Sequence, residues 1–76
     1  MKKIHEQFDY NSRLRGIVQG LELHMEFYPK EAVAFVLVHD GIVVGIPIHL
    51  SDDSVYYMKR GEMYVIKYER LKQVIY

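Results

Sequence analysis

The chain contains no cysteine, so neither a disulfide framework nor a thiolate zinc site can hold it together. It also lacks an excess of either charge: ten basic residues balance ten acidic ones, and the formal net charge is zero. A strong nucleic-acid binder normally carries a basic excess, because phosphate contacts supply most of its affinity. Neutrality argues against that class and leaves room only for a local basic patch. Long apolar runs are missing too. The longest, residues 32–38, is about a third of a membrane-spanning helix. Met1-Lys2-Lys3 is not followed by an apolar run, so no signal peptide is expected and the protein reads as soluble and cytoplasmic, with no membrane partner. There is no phosphate-cradling glycine loop, no serine-nucleophile motif and no nucleotide fingerprint. A domain this small rarely encloses a water-excluding site, so neither enzymatic activity nor a cofactor is expected.

What is present is apolar and aromatic. Seventy-six residues allow one domain, spanning 1–76, with a small core that is marginal by itself. Half of the residues are hydrophobic, with seven Tyr and three Phe. So small a body has too much surface to hide that load, and a partner or a second copy is expected to cover some of it.

Residues 2–13 are polar, with Ile4 and Phe8 spaced i, i+4, which suits a short N-terminal helix or an arm. Residues 14–28 fit two patterns. Leu14, Ile17, Val18, Leu21 and Met25 make a helical face, whereas Leu21, Leu23, Met25 and Phe27 alternate with Glu22, His24 and Glu26 as in a strand. Gly16 and Gly20 would each cost a helix interior about 1 kcal/mol. That cost favours a strand over 20–28, with a bent or helical approach before it and Pro29 as its end.

The rest reads as strands. Ala32 to Val38 is a β-branched, aromatic-containing run of the kind buried on both faces. Asp40-Gly41 is a hairpin signal, after which Ile42-Val43-Val44 resumes the apolar pattern. Gly45 and Pro47 suggest a bend or bulge. Ser51 to Ser54 is a turn, Val55 to Met58 a strand, Arg60-Gly61 a second tight turn and Glu62 to Tyr68 a further strand. Glu69-Arg70 suggests one 3₁₀ turn before a closing strand, Leu71 to Tyr76. Strands this short predict a mainly β domain: a small, strongly bent, antiparallel barrel of five or six strands.

This order resembles the Sm fold, and among its families the bacterial RNA chaperone Hfq; SH3-like barrels share much of the pattern. The likeness covers residues 33–76. Asp40-Gly41 stands at the family's hairpin turn, Val55 and Tyr57 fall in its third strand, Val65-Ile66 in its fourth, and Leu71 and Val74 in its closing segment. The interval from Gly41 to Gly45 is one residue shorter than the family's. The resemblance implies ring assembly and RNA binding. It also implies that the family's uridine pocket is missing: Ser54 stands where a stacking aromatic is expected, and Tyr68-Glu69 where a Lys-His pair contacts the base.

Side chains that could carry chemistry are few. His5, His24, His39 and His49 form no metal-binding spacing. His39 beside Asp40, and His49 near Asp52, could each be an acid–base pair, but solvated turn residues are the plainer reading. Asp52-Asp53 is better explained by turn chemistry than by a cation site. Tyr56, Tyr57, Lys59, Arg60 and Tyr64 form an aromatic–basic cluster around the second tight turn, a composition that would suit single-stranded nucleic acid. A hairpin tip with solvated charges and packed strand Tyr is the plainer alternative. Arg13 and Arg15 could extend the basic patch or simply solvate the N-terminal segment.

Neutral charge, abundant Tyr and surplus apolar surface together point to a non-enzymatic binding module that self-associates and engages a protein partner. Sm-like RNA binding on a ring, and small-molecule binding between subunits, are the alternatives.

Overall fold

A computed structural model of the chain describes residues 2–39 and 41–76, with side chains from Ser12 onward. The elements run α1 (Lys2–Phe27), β1 (Val33–Leu37), β2 (Ile42–Leu50), β3 (Ser54–Lys59), β4 (Glu62–Lys67), a 3₁₀ turn (Tyr68–Arg70) and β5 (Leu71–Ile75).

The helix is the main departure from the sequence-based expectation. Residues 20–28 are not a strand; residues 20–27 complete one 26-residue helix that begins at Lys2. At about 1.5 Å per residue it extends ~39 Å, most of the molecule's 46 Å long axis. The helical face won over the alternation. Leu21 and His24 are buried and Met25 half-buried, while Leu23 and Phe27, which the strand reading put on the same face as Leu21, are exposed. Gly20 has a tertiary reason to lie mid-helix: the Tyr76 ring sits where a Cβ would project. The short helix or arm expected over 2–13 is the first half of this same element, and the side chains of Ile4, His5 and Phe8 lie outside the described ones. The helix ends where expected. Tyr28 N donates to His24 O at 2.7 Å, and Pro29 then disfavours helical geometry for the residue before it. Among the described residues, no helix is long and apolar enough to cross a membrane.

The five strands form one antiparallel sheet in the order β4-β3-β2-β1-β5. The sheet is open: β4 and β5 are its two edges, where the sequence suggested closure into a barrel. Both tight hairpins place residues with φ > 0 at the turn: Gly41 at 84°, and Arg60 and Gly61 at 53° and 81°. Asp40 lies outside the described residues. The β2–β3 register shifts between Pro47 and His49, so the bulge expected near Gly45 and Pro47 falls at Ile48, just after Pro47 in the central strand.

Alternation assigns the two sheet faces. The inner face carries Val33, Phe35 and Leu37 of β1, Val55 and Tyr57 of β3, Ile66 of β4 and Leu71 of β5, all buried, with Tyr68 beside them. From α1, Leu21 is buried in this core, and Leu14, Ile17 and Val18 pack against it. β1 is not buried on both faces. Its burial alternates, and Ala34 and Val36 on the other side are only half covered.

Candidate functional site

The aromatic–basic cluster expected around Arg60-Gly61 is divided by the pleat. Successive residues of a strand point to opposite faces, so Tyr56 and Tyr57 separate. Tyr57 is only 6 % exposed; it packs on Phe35 with ring centroids 5.2 Å apart and lies over Gly45, where a Cβ would meet its ring. Its cross-strand partner is Tyr64, stacked on it at 5.5 Å. The Tyr64 hydroxyl donates to Glu62 Oε2 at 2.8 Å, and this bond is the first cause that raises its pKa above the ordinary value. Tyr56 lies on the other face, tilted against His49 at 5.5 Å. Lys59 and Arg60 are exposed at the hairpin tip. The structure therefore joins Tyr57 to Tyr64 and leaves Tyr56 apart. The buried Tyr57 offers no face on which a base could stack.

The more open feature is the edge of the same hairpin. Lys59 pairs with Glu62 across the two-residue turn, which makes Glu62, Tyr64 and Ile66 the residues whose backbone groups bond to β3. The bond from Tyr68 N to Asp53 O, 2.8 Å, continues that phase. The backbone groups of Met63, Val65 and Lys67 consequently face away from the sheet. Met63, Tyr64 and Val65 are exposed apolar side chains on this edge, and Ile75 and Tyr76 are exposed at the β5 edge. Unpaired edges of this kind are templates for another strand. No protein-family model, curated protein or solved structure matches the chain.

The outer face of the sheet is also apolar. Ala34 pairs with Val44 and Val36 with Ile42; Ala34 also faces Ile75. Ile46 pairs with Met58, Met58 with Met63 and Tyr56 with Val65. Polar Gln73 and His49 border these pairs, as do Ser54 and the exposed Lys67, paired with each other on the same face. No sequence motif marked this face. Its signal was the β1–β2 run that read as apolar on both sides.

The remaining polar groups are structural. In the turn before β3, Ser54 N donates to Ser51 Oγ at 3.1 Å, and Ser54 Oγ donates to Asp53 Oδ1 at 3.0 Å. Tyr68 donates to Ser51 O at 2.8 Å. Burial raises its pKa, and Asp53, Glu22 and Asp52 add to the rise. A shallow groove of about 190 Å³ runs past Tyr68, lined also by Leu14, Asp52, Asp53, Lys67 and Glu69. His24, on the buried side of α1, has Nε2 2.8 Å from the Glu31 carbonyl, to which it donates, and its ring contacts those of Tyr28 and Tyr76. His39 is exposed. Among the described residues, no three His, Asp or Glu side chains gather as a metal ion would need.

Proposed function

We propose that this chain is a non-enzymatic binding module that self-associates and engages a protein partner. One observation carries the reading: the sheet ends on both sides in an uncovered strand lined with apolar side chains, Met63 and Val65 on β4 and Ile75 on β5. β4 of one copy can add to β5 of the next. Because these are different surfaces, the contact is heterologous and propagates into a ring where the rotation closes, or a filament where it does not. Exposed Tyr and Met suit protein interfaces, where both are enriched. Light scattering coupled to size exclusion, with absorbance at 260 and 280 nm, tests the reading. A nucleic-acid-free assembly is expected; a monomer at every accessible concentration overturns it.

The sheet order supports a second reading, an Sm-like RNA-binding protein. A helix, five antiparallel strands in the order β5-β1-β2-β3-β4, a bulge in β2 and a 3₁₀ turn before β5 suit an Sm or SH3-like small barrel. Ser54, Glu69 and the zero net charge count against its RNA chemistry. This reading requires RNA binding that weakens steeply with salt; no binding at low salt ends it.

A further inference from the structure

One side of α1 packs on the sheet. The opposite side carries costs that nothing in the fold offsets. Gly16 lies inside the helix, where glycine is weaker than alanine, yet an added Cβ would meet nothing within 4 Å. Glu22 and Glu26, both exposed, are like charges at i, i+4 and repel each other. Glu26 also stands in the last turn of the helix, where the macrodipole disfavours an acid. Leu23 is 56 % exposed and Phe27 65 %. We infer that this side of α1 pairs antiparallel with the same side of α1 in a second copy, about a two-fold axis beside Gln19. The inference rests on the self-association proposed above and adds a contact with its own symmetry.

A second copy fits because this side of the helix complements itself when reversed. At about 3.6 residues per turn, Arg15, Glu22 and Glu26 fall within ~40° of one another around the helix axis. Gly16, Leu23 and Phe27 form another stripe about 100° away, with Gln19 between the two. A two-fold axis across an antiparallel pair sets each stripe against its own copy. With that axis level with the midpoint of Gln19 and Gly20, Arg15 comes midway in height between Glu22 and Glu26 of the second copy, ~3 Å from the level of each. One guanidinium is thereby inserted between two carboxylates that repel in the single chain. In the other stripe, Gly16 is level with Leu23 of the second copy, and Ser12 with its Phe27. Each exposed apolar side chain meets a small residue, and the space left open at Gly16 receives Leu23. Small residues at such positions let helices approach to the short end of the usual ~8–10 Å axis separation. Nucleic acid suits this side poorly, because the two stripes carry two carboxylates and one guanidinium and phosphate is repelled.

Such a contact joins copies in twos and leaves β4 and β5 free, so a swap of charge separates it from the edges. Arg15→Glu gives the charged stripe three carboxylates; Glu22→Lys combined with Glu26→Lys gives it three cations. Each variant, checked for folding by circular dichroism, is expected to lower the mass seen by light scattering at least two-fold. Mixed in equal amounts, the two variants are expected to recover the wild-type mass, because each stripe then meets the opposite sign. Pairing of β4 with β5 cannot produce that recovery. Gly16→Leu fills the space that Leu23 of the second copy would enter, while favouring the helix. It is expected to lower the mass equally without lowering Tm. An oligomeric wild type whose mass survives both charge variants overturns this inference and leaves edge-mediated self-association standing. Loss of mass in both variants with no recovery on mixing also overturns it. A wild type that is monomeric throughout overturns both this contact and the self-association it rests on.

Discussion

Tyr68 links the 3₁₀ turn to the loop before β3 through one hydroxyl, bonded to Ser51 O at 2.8 Å. Removing that hydroxyl in Tyr68→Phe is expected to cost about 1 kcal/mol at neutral pH, the net worth of a typical hydrogen bond. It also changes the pH dependence. Burial first, then Asp53, Glu22 and Asp52, raise the folded pKa above the ordinary 10.0. The unfolded chain therefore releases this proton before the folded protein does. The stabilisation is fully present below about pH 10 and is lost as pH rises through the folded value. Tyr57 and Tyr76, also raised by burial, act in the same direction. Urea unfolding between about pH 9 and pH 11 should show stability falling in the wild type and falling less steeply in Tyr68→Phe; parallel slopes would contradict the assignment. At this scale the candidate site was only partly legible. Composition brought Tyr56, Tyr57 and Tyr64 together, but a strand's two-residue period separates Tyr56 from the other two. The reach of Tyr68 to Ser51 spans 17 residues and left no local signal.

The strands and turns were far more legible than the helix. Arg60-Gly61, the Ser51–Ser54 turn, the 3₁₀ segment and the strand after it are set by neighbours in sequence, and each lies where those neighbours indicated. Residues 20–28 were misassigned because Leu21, Leu23, Met25 and Phe27 alternate, and because two glycines argued against a helix. What offsets Gly20 is the Tyr76 ring, 56 positions away in the chain, against its Cα; no local pattern encodes that. The two glycines should therefore respond differently. Gly16 is exposed, with nothing within 4 Å of an added Cβ, so Gly16→Ala should stabilise the fold by about 0.5–1 kcal/mol. Gly20→Ala drives a methyl group against the Tyr76 hydroxyl, the tip of an exposed side chain that can turn aside, so the clash should cancel most of that gain and leave stability within about 0.5 kcal/mol of the wild type. Thermal denaturation of both variants measures the pair. Equal, stabilising effects would mean that Tyr76 does not pack on the helix.

At the scale of the whole molecule, the surplus of apolar residues resolves into two kinds of surface: the edges of β4 and β5, and the outer face between them. Closing the sheet on itself would have consumed both edges; the open order leaves each unpaired, a template for another strand. The heterologous character of that pairing gives a specific expectation. With Arg15→Glu in every chain, Val65→Lys disables β4 in one sample, and Ile75→Lys disables β5 in another. Both side chains are half exposed or nearly so, so each change should alter stability by no more than about 0.5 kcal/mol. Each substituted protein should be monomeric, because every edge contact needs one β4 and one β5. Mixed together, the intact β5 of the first can accept the intact β4 of the second, and assembly must stop there for want of further good edges. Sedimentation of the mixture should show a dimer and nothing larger, whereas a mixture that stays monomeric would place the contact between copies away from these edges.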